Sequence, residues 1–314
     1  MKKCFFTLFL TLIATLSVAQ ESQTTYNFLR VPVSAHAAAL GGDNITLIDD
    51  DATLLFHNPA LLTSASDKTI TLNYLNYMAG VNMMSASFSR VVRERASWAV
   101  SAQYINYGDM KQMDADNVQT GTFAAKDIAF AGTFSYLLTD RLAGGITARL
   151  ITSYLGDYNS IGAGFDLGLN YYDPDREWSL SVVAKNLGGQ LKAYNEVYDR
   201  MPIDLQIGGS KRVKHTPFRL SATAVDLNHW NYKFIYHWVL GLDVLLSDNV
   251  WVGAGYNLRR ANEMKIVNAD DESSHGAGLS LGAGLTLDRF KLGVAYGKYH
   301  VSSSSLIVNA AYTL

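Results

Sequence analysis

Cysteine is all but missing from this 314-residue chain: the one copy, Cys4, lies in the apolar stretch at the N-terminus. Once that stretch is removed no thiol is left, which excludes disulfides, Cys-based metal sites and thiol nucleophiles. Proline is scarce, with 5 copies. Pro32 and Pro59 precede the strands assigned below, and Pro174, Pro202 and Pro217 fall at turns or strand starts, where a missing backbone donor is tolerated. Neither sign of charge dominates, since 26 basic residues face 28 acidic ones. Nucleic acid therefore has no electrostatic footprint here. Beyond the N-terminus no run approaches the roughly 20 apolar residues of a membrane-spanning helix. The His-x-x-x-His and G-x-G-x-x-G spacings of zinc sites and dinucleotide loops are absent as well, and no serine sits in the strand-to-helix setting of a nucleophile elbow, since the G-x-S-x-G spacing at 278–282 falls within an alternating stretch.

Residues 1–19 read as a signal peptide. Lys2 and Lys3 give the charged start, Phe5 to Leu16 the apolar stretch, and Ser17-Val18-Ala19 a small-x-small cleavage site. The expected mature chain begins at Gln20, and Cys4 lies away from the cleavage point, so a lipoprotein anchor is not indicated.

From Lys68 onward the chain repeats one segment type about fourteen times: roughly ten residues alternating apolar with small or polar, closed by a turn. The candidate strands are 68–77, 82–91, 95–107, 127–138, 141–153, 160–172, 178–187, 203–213, 217–227, 235–246, 249–260, 276–287, 290–298 and 305–314. Around Val250, one face carries Val250, Val252, Ala254, Tyr256 and Leu258, the other Gly253, Gly255 and Asn257. Ile146, Ala148 and Leu150 oppose Thr147, Arg149 and Ser153, and Leu292, Val294 and Tyr296 oppose Gly293, Ala295 and Gly297.

A soluble β-sandwich alternates in the same way, so the connections decide. Even-to-odd links are short (92–94, 139–140, 173–177, 214–216, 247–248, 288–289), whereas odd-to-even links are more often long (108–126, 188–202, 228–234, 261–275). Short periplasmic turns and longer outer loops belong to an outer-membrane barrel with both ends in the periplasm, and Greek-key sandwiches do not sort their loops by parity. The expected fold is all-β: a transmembrane antiparallel barrel over 68–314, preceded by a segment over 20–67. Aromatics near strand ends, among them Tyr77, Tyr104, Tyr107, Tyr136, Tyr154, Trp178, Trp251, Tyr256, Tyr296 and Tyr312, are candidates for the two interfacial girdles.

Residues 26–66 do not alternate. Ser34 to Leu40 is alanine-rich and predicts a short helix with Ser34 as N-cap and Gly41-Gly42 ending it. Asp49-Asp50-Asp51 follows, then His57-Asn58-Pro59-Ala60, with Pro59 suited to the first turn of another helix. A compact, partly helical element just ahead of a barrel is most simply a hatch folded inside the lumen.

The remaining candidates for chemistry carry weaker signals. Asp49-Asp50-Asp51 offers carboxylates to a cation but lacks the alternate-position spacing of a calcium loop, so a capping or solvated cluster is the better expectation. His57 has no nucleophile beside it and is expected to make a hatch hydrogen bond, and the other histidines are dispersed. Arg149 and Lys185 face inward and are expected to meet carboxylates in the lumen or hatch. The Gly278 to Gly284 run is expected to let a hatch or a curved wall approach closely. Asp114, Asp116, Glu263, Asp270, Asp271 and Glu272 lie in long outer loops and are candidate partner contacts or merely solvated charge. No catalytic residue, metal or cofactor is expected.

Ser34-Ala35-His36-Ala37-Ala38-Ala39-Leu40-Gly41-Gly42, then Asp49-Asp50, then Asn58-Pro59-Ala60-Leu61-Leu62 resembles the N-terminal signature of the PorV/PorQ family of the type IX secretion system, whose members are related to FadL-like transporters. Two positions depart from that pattern: His36 stands for its arginine and Leu61 for a glycine. Modest length and few outer insertions resemble PorQ more than PorV. The resemblance implies a fourteen-strand outer-membrane barrel with a non-catalytic platform role. It would hold a PorZ-like surface protein near the sortase PorU and PorV in the attachment complex. A PorV-like cargo shuttle and a FadL-like transporter of a hydrophobic small molecule remain as alternatives.

Overall fold

A computed structural model describes residues 24–299 and 303–314, apart from 79, 231–232, 265, 268–271 and 274–275. The expected signal peptide lies outside the described residues. Fourteen strands close into one antiparallel barrel. They are β1 (Thr69–Asn76), β2 (Asn82–Val92), β3 (Ala96–Met113), β4 (Gln119–Leu137), β5 (Leu142–Leu155), β6 (Tyr158–Asp173), β7 (Trp178–Lys192), β8 (Asp204–Arg212), β9 (Phe218–Ala224), β10 (Trp238–Ser247), β11 (Val250–Asn257), β14 (Leu279–Leu287), β15 (Phe290–Gly297) and β16 (Ser305–Thr313). Between β11 and β14, β12 (Ile266–Val267) and β13 (Glu272–Ser273) pair as a separate short ribbon. Closure is direct: β1 pairs with β16 from Thr69↔Thr313 to Asn76↔Leu306, so no sheet edge is left open.

The alternation in sequence becomes an inside and an outside. Leu72, Val100, Phe130, Leu150 and Leu292 stand exposed on the outer face, where lipid rather than water is their natural solvent. Thr71, Ser87, Thr133 and Thr147 are buried inward. There the hydroxyls bond across strands, Thr71 to Ser87 at 2.7 Å and Thr133 to Thr147 at 2.8 Å. The six even-to-odd turns are short, as expected, and lie at the end where the barrel strands start and finish.

Several boundaries differ from the sequence reading. The expected loop 108–126 is mostly strand: β3 and β4 continue their ladder to Met113↔Gln119, leaving only 114–118 as the turn. Beyond the bilayer both faces of this hairpin meet water, so no apolar face marks it. The loop expected from 188 starts later, because β7 runs to Lys192 against β6. The strand expected to 260 ends at Asn257, whose side chain accepts the Arg260 N–H and caps a helix over Leu258–Glu263. Three residues assigned to the girdles point inward instead: the Tyr107 hydroxyl donates to Asp127 (2.7 Å), Trp251 stacks on His36, and Tyr77 leans on Tyr299.

The segment ahead of β1 folds into the lumen. It comprises 3-10 turns at Asn27–Arg30, Ala52–Phe56 and Pro59–Ser64 and one α-helix at Ala35–Ala39. Ser34 caps that helix by accepting the Ala37 N–H, and Gly41 and Gly42 end it with φ of 103° and 107°. Asn58 caps the turn that Pro59 opens, which is 3-10 rather than α-helical. Phe28, Leu29, Val33 and Ala39 pack against inward-facing Leu75, Met83, Ile105 and Ile151, so hatch and wall share one apolar core.

Candidate functional site

The motif residues hold the hatch to the wall. Asn309 on β16 grips hatch backbone from both sides: its Nδ2 donates to the Val33 carbonyl (2.9 Å) and its Oδ1 accepts the Ala35 N–H. Asn58 donates to the Ile45 carbonyl at 3.1 Å and accepts the Ala60 N–H at 3.0 Å. Across the lumen, two wall glycines make room for the motif. A Cβ at Gly255 would stand 2.1 Å from the Leu40 carbonyl carbon, and one at Gly168 would stand 2.1 Å from Asn58 Oδ1.

Charge pins the hatch at the short-turn end. His36 Nε2 lies 2.9 Å from Asp243 Oδ1 on β10, and His36 Nδ1 lies 3.2 Å from Asp49 Oδ2. Arg219 on β9 spans the same two carboxylates at 2.8 Å each. Two cations thus alternate with two anions, half from the hatch and half from the wall. Burial works against charge on His36, but Asp243 and Asp49 outweigh it and raise its pKa to about 9, so the imidazolium persists at neutral pH. Burial would raise the Asp49 carboxyl, yet Arg219 and His36 hold it below its ordinary value. Position 36 therefore carries a cation.

The rest of the acidic cluster divides its work. Asp50 pairs with Lys291 on β15 (2.5 Å) and accepts the Ser66 N–H (2.6 Å), and Asp51 caps Thr53 (2.8 Å). Asp51 thus caps, as expected, whereas Asp49 and Asp50 pair with cations, which the spacing did not indicate. His57 Nε2 accepts the Ser34 N–H at 3.4 Å, the expected hatch bond, and burial pushes its pKa down so that it stays neutral. Arg149 meets Asp166, whose other oxygen accepts the Asn186 N–H (2.7 Å) and patches a bulge between β6 and β7. Gly282, in the glycine run, faces Ala39 of the hatch.

The outer-loop candidates are not brought together. Asp114 accepts the Asp116 and Val118 N–H groups at 2.9 Å each and forms its own hairpin turn, with Asp116 exposed beside it. Glu263 is taken by Arg259 (2.6 Å) on its own helix. Asp270 and Asp271 lie outside the described residues, and of Glu272 only the backbone in β13 is described. Among the described residues no three His, Cys, Asp or Glu side chains converge as a metal site requires. Sequence reading missed Arg219, Asp243, Trp251 and Asn309. Their signal was there, as polar or bulky residues on the small, inward face of otherwise regular strands.

What space remains inside is divided. A small cavity of about 10 Å³, close to the volume that one water needs, lies between Pro32, Val33, Leu75 and Ile307 in the shared apolar core. A cavity of about 310 Å³ opens at the short-turn end beside Asp49–Asp51, Arg212 and Lys291. Another of about 610 Å³ lies at the opposite end, lined by Arg30, Lys185, Asp204, Asp226 and Arg260 among others. Both larger spaces have charged walls.

By sequence, no family model and no curated protein matches the chain. Solved structures do. The chain is similar to the Pseudomonas putida toluene transporter TodX at 14% identity and a TM-score of 0.54, covering 90% of this chain and 97% of that one. It is similar to the CymD monoaromatic hydrocarbon channel at 14% identity and a TM-score of 0.59, with coverage of 90% and 97%. To a Pseudomonas aeruginosa FadL homologue the values are 12%, 0.52, 90% and 99%. At such identities the likeness is one of fold, and the chain has the closed fourteen-strand fold of FadL-like outer-membrane barrels.

Proposed function

We propose that this protein is a non-conducting outer-membrane platform: a component of a type IX secretion attachment complex that holds a PorZ-like surface partner near PorU- and PorV-like proteins through its outer face. The observation that carries the reading is the hatch seated in the middle of the lumen. The hatch packs its apolar residues against the inward face of the wall and is tied to it by a four-member ionic cluster. The two larger spaces found among the described residues have charged side chains in their walls, which suit a hydrophobic solute poorly, and moving the hatch would break buried ion pairs. The motif from Ser34 to Leu62 supplies the family expectation, and its residues serve to seat the hatch. The test is purification of the mature protein from native outer membrane in mild detergent. PorZ-, PorU- or PorV-like partners are expected to accompany it, and their absence overturns the platform role.

The likeness of fold to hydrocarbon channels favours a second reading, a FadL-like transporter of a hydrophobic small molecule. Uptake of an aromatic hydrocarbon or long-chain fatty acid that is lost on gene deletion and restored by the cloned gene would select it. A PorV-like cargo shuttle differs from the platform in that secreted cargo would co-purify with the barrel stoichiometrically.

A further inference from the structure

The outer cavity holds charges that the fold leaves unanswered. Asp226 accepts from Arg30 (3.4 Å) and from Arg259, and Arg259 also binds Glu263 (2.6 Å), so these groups answer one another. Asp204 is occupied by Gln206 Nε2 and by the Asp226 N–H, each at 2.7 Å. Four other lining groups differ. Lys185, 8% exposed, makes no ion pair or hydrogen bond among the described residues, and Asp204 acts on it only at longer range. The Arg260 guanidinium lies 3.9 Å over the Tyr299 ring; its Nη2 donates to the Gly41 carbonyl at 3.4 Å, while its Nη1 is buried without an acceptor among the described residues. The Tyr299 hydroxyl, in a residue 5% exposed, is likewise buried without a partner. Asp43, half-buried at the cavity wall, has no ion pair or hydrogen bond among the described residues and stands close enough to Tyr299 and Asp204 to act on both electrostatically.

Buried donors and charges without protein partners are costly unless something else supplies the missing bonds. Here the unanswered groups are of both kinds: two cations and a hydroxyl on one hand, a carboxylate on the other. A hydrocarbon would strand all of them, and a simple anion would be repelled by Asp43. A molecule bearing both signs fits. We propose that this cavity binds a small water-soluble zwitterion, an amino acid or short peptide. Its carboxylate is taken by Arg260 and Tyr299 with Lys185 facing the same space, and its ammonium is taken by Asp43. The cavity, about 610 Å³, lies within the usual range for small-molecule sites.

The test is isothermal titration of the intact mature protein in detergent micelles with trialanine bearing free termini. The comparison ligands are the N-acetylated form, the C-amidated form and inorganic phosphate. The free peptide is expected to bind, and blocking either end is expected to weaken it roughly tenfold, about 1.4 kcal/mol. Arg260→Gln should abolish the preference for a free carboxylate, and Asp43→Asn the preference for a free amine, with the unfolding midpoint of the unliganded protein as control. The blocked peptides probe the wild-type protein, so a variant that fails to fold does not spoil the result. Equal binding of blocked and free peptides, phosphate binding as tightly as the peptide, or no heat from the free peptide at millimolar concentration each overturns the assignment.

Discussion

His36 lies flat on Trp251, the ring centroids 3.7 Å apart and the planes within 4°. One residue comes from the hatch and the other from β11, so this stack joins the plug to the wall. Because Asp243 and Asp49 keep the imidazole protonated, it is a cation on an aromatic face, the role a guanidinium would also fill.

Replacing His36 with alanine removes one cation from a set of two carboxylates and two bases and leaves like charges facing each other. The expected cost is about 3 kcal/mol, in the range for breaking one side of a buried ion pair. A urea unfolding curve in lipid vesicles measures it. His36→Arg, which keeps the charge, is expected to recover most of the loss. Equal destabilisation by both variants would show that charge at this position is not what matters.

The pH dependence has a definite sign. His36 carries a raised pKa, so its contribution is fully present below about 6.5 and is lost as pH rises through about 9. Asp49 carries a lowered one, so its contribution is present above its ordinary value of 3.8 and is lost in acid. The protection factors of the Ala35–Ala39 amides, measured against the intrinsic base-catalysed rate at each pH, are therefore expected to be highest near neutrality and to fall toward pH 10. The β-strand amides serve as the unchanged reference.

A side chain at Gly255 meets hatch backbone, since its Cβ would lie 2.1 Å from the Leu40 carbonyl carbon and 2.2 Å from Gly41 N. Backbone cannot swing aside as a side chain can, so Gly255→Ala is expected to dislodge the hatch at a cost of about 1–3 kcal/mol. The barrel should still form and show its heat-modifiable gel shift, while protease cuts between residues 24 and 66 appear. Intact protein under the same protease would count against the close approach.

Asn309→Ala leaves the Val33 carbonyl and Ala35 N–H buried with no partner. The expected destabilisation is about 1–3 kcal/mol. Planar-bilayer recordings should then show conductance steps absent from the wild-type protein as the hatch loosens. Asn309→Asp retains only the accepting oxygens and is expected to fall between the two.

Much of the barrel was legible in advance because a strand that separates lipid from lumen carries its own label. Around Val250, the alternation of Val252 and Tyr256 with Gly253 and Gly255 appears in the structure as outside and inside. Labels failed where the environment no longer differs between faces: the β3–β4 hairpin above the bilayer is wet on both sides, and its ladder to Met113 looked like loop. The Leu258–Glu263 helix was hidden by its attachment to a regular strand, although Asn257 was readable as a cap.

The sequence by itself determined the barrel, the parity of its turns, the short capped helix after Ser34 and the presence of a segment unlike the strands. These rest on periods and caps that span a few residues. Only the tertiary structure decided that His36 meets Asp243, Arg219 and Trp251, that Asn309 clasps Val33 and Ala35, and that Lys185, Arg260 and Asp43 share one cavity. Such partners lie up to 276 positions apart in the chain. A period of two states which face a residue lines, but not what will stand opposite it once the barrel closes around its hatch.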